Sequence, residues 1–134
     1  MARESSDEKP SGPRWNIDFD WYKQHNRSLA TLVEGCLCPK CREQFKGGSL
    51  TDSELLANIK ECCCQAPGFI SGELTILENV FRLFLANGNE PLDLAEMSLQ
   101  LSQRLGDYTY RTSPGVLARL LKNVRYYGVR QLAA

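Results

Sequence analysis

The sequence predicts a mainly α-helical chain in two parts, the second closing on a short strand, and three observations carry that expectation. Apolar residues recur at three- and four-residue spacings in several separate stretches. Residues suited to capping stand just before those stretches, and Gly or Pro stands after them. The six cysteines are confined to residues 36–64, so the first part differs in chemistry from the second.

With 134 residues, 43% hydrophobic and 24% charged, the composition is that of an ordinary globular chain, enough for one modest core or two small ones. Sixteen basic and sixteen acidic residues cancel, so net charge favours neither nucleic acid nor a membrane surface. Charges interrupt the apolar runs too early for a membrane-spanning helix, which needs about 20 apolar residues. The opening MARESSDEKPSGPR carries charge where a signal peptide needs an apolar run. The expected location is therefore cytoplasmic, where thiols stay reduced.

Residues 1–14 are polar with two prolines and are expected to form a disordered tail. Order is expected from Trp15. In DFDWYKQHNRSLATLVEG, Phe19, Tyr22, Leu29, Leu32 and Val33 fall at helical spacings and Gly35 is placed as a stop, which predicts one helix. Gly47 and Gly48 then break the chain. Thr51 with Glu54 three residues later is a capping box, opening a helix with Leu55, Leu56, Ile59, Cys62 and Cys63 on one face and Cys64 toward water. Pro67 and Gly68 end it.

In the second part, ELTILENVFRLFLANG aligns Leu77, Val80, Phe81 and Phe84 in one stripe, with Gly88 past its last turn. Asp93 and Glu96 cap the next helix, which buries Leu94, Met97, Leu101 and Leu105. After the loop GDYTYRT, Ser113 and Pro114 are a cap and a first helical residue, opening a third helix that buries Val116, Leu117, Leu120, Leu121 and Val124. RYYGVRQL is rich in β-favouring residues and predicts a strand.

The cysteines pose the main chemical question. A CxxC turn directs two sulfurs at one ion, and Cys38 and Cys41 in CLCPKC have that spacing. A second pair is available in the CCC of residues 62–64. Helix phase favours Cys62, with the fourth ligand open between Cys63, Cys64 and Cys36; the working set is Cys38, Cys41, Cys62 and Cys63. Zinc in a closed, structural site is the favoured cofactor, because residues 15–70 form too small a module to hold shape firmly without a staple. Two readings compete with it: an iron–sulfur cluster or thiol redox centre, and unliganded core cysteines. The lone His25 is not expected as a ligand. No HExxH, GxSxG or phosphate-loop pattern occurs, so no enzyme activity or small-molecule substrate is expected.

From Arg104 onward there are six basic residues and a single acid, Asp107. On the third helix and its flanks, Arg111, Ser113, Arg119, Lys122, Arg125 and Arg130 form a candidate nucleic-acid surface, with small residues allowing close approach and cations reaching phosphates or base edges. The stretch ENVFRLFLANGNEPLDLAEMSLQL, followed by YRTSPGVLARLLKNVRYYGVRQL, resembles the HARE type of winged helix-turn-helix over about 60 residues. Gly88, Pro91, Leu92, Ser113, Pro114 and Tyr126 take the matching positions. The resemblance implies a third helix entering the major groove and a transcription-related role. The chain after that helix has room for one strand, so a wing hairpin is not expected.

Three regions are thus expected: a tail at 1–14, a cysteine-rich zinc-binding module at 15–70 and a winged-helix-like module at 71–134. The expected function is non-catalytic nucleic-acid binding, DNA before RNA. The alternatives are an adaptor docking on a large assembly such as RNA polymerase or the ribosome, with Trp15, Phe19, Trp21 and Tyr22 as aromatic anchors, and an iron–sulfur or thiol redox sensor.

Overall fold

The computed structural model describes residues 13–44, 51–106, 112–122 and 127–132. Strand β1 (Arg14–Ile17) leads into α1 (Phe19–Gln24), α2 (Leu29–Glu34), α3 (Pro39–Gln44) and α4 (Asp52–Glu61). A single 3-10 turn, Cys63–Gln65, follows. Then come α5 (Ile76–Ala86), β2 (Leu92–Asp93), α6 (Leu94–Leu105), α7 (Pro114–Leu121) and β3 (Val129–Gln131). The mainly helical expectation holds, with a small three-stranded sheet beside the helices.

The capping chemistry read from the sequence is present at each expected start. Thr51 and Glu54 exchange hydrogen bonds as a capping box, as do Asp93 and Glu96. Ser113 accepts the N–H of Val116 ahead of Pro114. Such a cap contributes about 1 kcal/mol by satisfying an amide left free in the first helical turn.

The first helix departs from expectation. Residues 18–35 form two short helices, because Asn26 turns into the left-handed region (φ 54°) and Ser28 starts α2 afresh, its Oγ accepting from Thr31 N at 3.1 Å. Asparagine tolerates that backbone better than most residues, so the break sits where it costs least. Ahead of α1, residues 14–17 form a strand that periodicity did not reveal.

That strand organises the sheet. β1 is central, antiparallel to β2 through Trp15 opposite Leu92 and antiparallel to β3 through Asn16 opposite Arg130. Asn89 extends the pairing beyond β2. Its side chain accepts from Ile17 N at 2.8 Å and donates to Ile17 O at 2.9 Å, imitating a strand residue. Residues 14–17 thus lie between β2 and β3, two strands drawn from the second half of the chain.

One continuous cluster of buried side chains joins both parts of the chain, from Trp15 and Val33 through Leu55 and Ile59 to Phe81, Phe84 and Leu117. Trp15, Trp21 and Tyr22 lie inside it, each at most 7% exposed, and Phe19 packs against it. Tyr22 also donates its hydroxyl to Tyr127 O at 2.7 Å. Burying each ring contributes roughly 2–3 kcal/mol to the fold. Trp15, Trp21 and Tyr22 are thus core residues, while Phe19 is only partly buried.

Gly128 closes the β3 end against α1. Its φ is +65°, and an added Cβ would stand 2.9 Å from Tyr22 Cε2 and 3.3 Å from Asp18 O. Gly106 shares the backbone region (φ +68°) with nothing within 4 Å. Gly106→Ala is therefore expected to cost about 1–2 kcal/mol of backbone strain alone, while Gly128→Ala adds about 1–3 kcal/mol of steric repacking. Urea unfolding of the two variants checks this; equal losses would contradict the packing.

Candidate metal centre

The cysteine site is assembled from two places. Cys38 immediately precedes α3 and Cys41 lies one turn inside it, so the start of a helix points both sulfurs to one side. Arg42 holds the approach to this turn, donating from one guanidinium nitrogen to Gly35 O at 3.3 Å and Leu37 O at 3.1 Å. The other place is the end of α4. Cys62 is its C-cap, and the chain then tightens into the 3-10 turn that begins with Cys63.

The sulfurs of Cys38, Cys41 and Cys62 all lie within 4.8 Å of one another. Cys41 donates its S–H to Cys62 Sγ at 3.5 Å. A tetrahedral thiolate site with metal–sulfur bonds of about 2.3 Å has sulfur–sulfur edges of about 3.8 Å, so this trio already has the size of one face of such a site. Cys38 and Cys62 are partly exposed and Cys41 is buried, which leaves the face reachable. No disulfide joins the described cysteines.

Cys63 borders this face. Its sulfur accepts the backbone N–H of Cys38 at 3.3 Å and the amide of Asn58 at 3.5 Å, and its side chain is fully buried. Two N–H donors aimed at one sulfur suit a thiolate better than a thiol. Asn58 is a contributor that sequence reading missed; its only signal was an amide on α4 five residues before Cys63.

The remaining two cysteines behave differently. Cys36 donates its S–H to Leu32 O at 3.5 Å, and Cys64 donates to Lys60 O at 3.1 Å. Each thus bonds a carbonyl four residues back and stays buried. Helix phase puts Cys64 toward water only if the helix continues through it; α4 ends at Glu61, and the 3-10 turn leaves Cys64 buried. Arg104 of α6 then donates to Cys64 O at 2.9 Å, tying the cysteine turn to the second part of the chain.

Electrostatics separates the sulfurs further. The backbone N–H of Cys41, opposed by burial and helped by the neighbouring thiols, lowers Cys38 to about 7. Burial pushes Cys63 up to about 12, and it pushes Cys36 up to about 11. The thiol hydrogen bond from Cys41 is the first of several causes that raise Cys62. Like charges this close cannot all ionise alone, so a full set of thiolates requires a cation among them.

His25 is remote in role: its ring stacks on Trp21 with centroids 4.4 Å apart, and Nδ1 meets Trp21 O at 2.9 Å. Of the candidate nucleic-acid residues, Ser113 caps α7, and Arg119 and Lys122 are exposed on α7 and at its C-cap. Arg130 lies on β3 with its guanidinium 3.6 Å from Asp18 Oδ2. Arg111 and Arg125 lie outside the described residues. Among the described residues, no helix is long and apolar enough to cross a membrane.

Compared with known proteins, the chain matches no family model, no curated protein and no solved structure. The site's chemistry therefore rests on its own geometry. Elemental analysis of purified protein is expected to find bound metal that is lost in Cys41→Ala and kept in Cys36→Ala and Cys64→Ala. Retention by Cys41→Ala, or loss in both of the other variants, would contradict the division of sulfurs described above.

Proposed function

We propose that the protein is a non-catalytic, zinc-stapled nucleic-acid-binding module, with DNA as the favoured ligand, and that Cys38, Cys41, Cys62 and Cys63 are the four zinc ligands. The observation that carries the metal is the convergence of three sulfurs within 4.8 Å, with the N–H-supported Cys63 beside them. Four sulfurs and no open ligand position suit a structural rather than a catalytic zinc. Thiolate ligands also favour zinc over calcium or magnesium, which take oxygen.

The nucleic-acid reading is supported by the asymmetry of α7. Leu117 and Leu121 are buried, while Pro114, Gly115, Arg119 and Lys122 are exposed. Among the described residues, nothing stands within 4 Å of a Cβ built on Gly115, so a backbone could approach this face closely. Two exposed cations beside small residues on one helix fit a phosphate-lined groove.

The sheet bears on the winged-helix reading. On that reading, β1, which pairs antiparallel to β3, would stand where a second wing strand does. The two strands end side by side, with Leu132 N donating to Arg14 O at 2.8 Å. Of the anchors of the adaptor reading, Trp15, Trp21 and Tyr22 are buried in the core, and Phe19 is partly exposed.

Binding to generic duplex DNA, titrated with salt, tests the function. Arg119→Ala and Lys122→Ala are each expected to weaken binding and reduce the log–log salt slope by about one per lost phosphate contact. Unchanged affinity and slope in both variants would remove α7 as the contact surface. Cys63→Ala is expected to lower metal content as Cys41→Ala does. Full metal retention would exclude it as the fourth ligand.

A further inference from the structure

The sulfurs of Cys41 and Cys62 come from different stretches of the chain and make a direct contact. They are 3.5 Å apart, in hydrogen bond and not bonded covalently. A disulfide requires about 2.05 Å, so closing the pair needs roughly 1.5 Å of sulfur movement, within reach of side-chain rotation at the end of α4. Cys62 is the partly exposed member and Cys41 the buried one. The outer sulfur is thus open to a small oxidant, and the inner one stands behind it to resolve the product.

We propose that Cys41 and Cys62 are a peroxide-oxidisable pair that exchanges the bound metal for a disulfide. This rests on the metal-centre reading of the same thiols. Cys62 sulfur attacks one oxygen of hydrogen peroxide, breaking the O–O bond and leaving a sulfenic acid, with the departing oxygen leaving as water after protonation. Cys41 sulfur then attacks Cys62 sulfur, forming the S–S bond and expelling the second oxygen as water. In sum, two thiolates, one peroxide and two protons taken from solvent give a disulfide and two waters; sulfur is oxidised and peroxide oxygen reduced. Loss of two thiolates leaves Cys38 and Cys63 too few to hold the ion, which departs.

The pairing has a structural consequence. A bond between residues 41 and 62 links α3 to the end of α4, the same two stretches that the metal links, so these remain tied in both redox states. A bond between Cys38 and Cys41 would link only neighbours on one turn and leave the stretches free.

Peroxide treatment of the full-length, reduced, metal-loaded protein tests the exchange, with metal content measured beforehand. The expected result is release of about one ion per chain, a mass loss of about 2 Da, and a Cys41–Cys62 linkage in the tryptic digest. Trypsin cuts after Lys40 and Lys60, which separates Cys38 from Cys41 and both from Cys62, so the linkages are distinguishable; fragment spectra and Cys62→Ala separate Cys62 from Cys63. The oxidised, metal-free protein is further expected to melt above the reduced, metal-free protein. A Cys38–Cys41 linkage, sulfinic acids in place of a disulfide, or no loss of alkylatable thiols overturns the proposal. So does an oxidised form that melts no higher than the reduced, metal-free one. Absence of metal before oxidation would instead defeat the metal-centre reading, while the linkage itself is still scored on the metal-free thiols.

Discussion

Two stretches of chain separated by about twenty residues bring the sulfurs of Cys38, Cys41 and Cys62 within 4.8 Å of one another, a cluster that could hold a metal ion, and the proposed function depends on that convergence. The start of α3 supplies one pair. The end of α4 supplies the other, through a helix that stops at Glu61 and tightens into a 3-10 turn. Without a cation the arrangement is poorly balanced: a thiolate is favoured at Cys38, yet burial disfavours one at Cys63. A divalent ion reverses that balance. Structural zinc sites supply an apparent 10–16 kcal/mol of binding energy, comparable with the whole stability of a domain this size, about 5–15 kcal/mol.

The consequences extend beyond the site because the two parts of the chain are not independent layers. β1 comes from the beginning of the chain and lies between strands drawn from its second part. Asn89 and Tyr22 extend that joint with long-range hydrogen bonds, and Arg104 adds another at the cysteine turn. A buried hydrogen bond between Ser102 and Thr112, 3.2 Å apart, continues from α6 to the residue just before the cap of α7. The metal turn and the basic helix are therefore connected through packed, satisfied contacts rather than through a loose linker.

How much of this could be read in advance divides along a physical line. Local signals were legible: Thr51 with Glu54, Asp93 with Glu96 and Ser113 with Pro114 each act within one helical turn, and the stripe from Leu77 to Phe84 needs only helix periodicity. Non-local pairings were not. Residues 14–17 become a strand because Leu92 and Val129 arrive on either side, and nothing within those four residues announces it. The break at Asn26 is a choice between nearly equal local conformations that tertiary packing decides. At the site, Cys38, Cys41 and Cys62 were legible from spacing and helix phase. The burial of Cys64 was not, since it depends on where α4 stops, and element ends are the least certain feature of any periodic pattern.

The most direct test of the central claim is thermal unfolding of the reduced protein, as purified and after treatment with a zinc chelator. The account predicts that the chelated protein melts at a markedly lower temperature, with reduced helical signal before the transition, and that stoichiometric zinc restores both. A protein that carries no metal when purified and whose melting temperature and helical signal do not change with chelator or added zinc would contradict it.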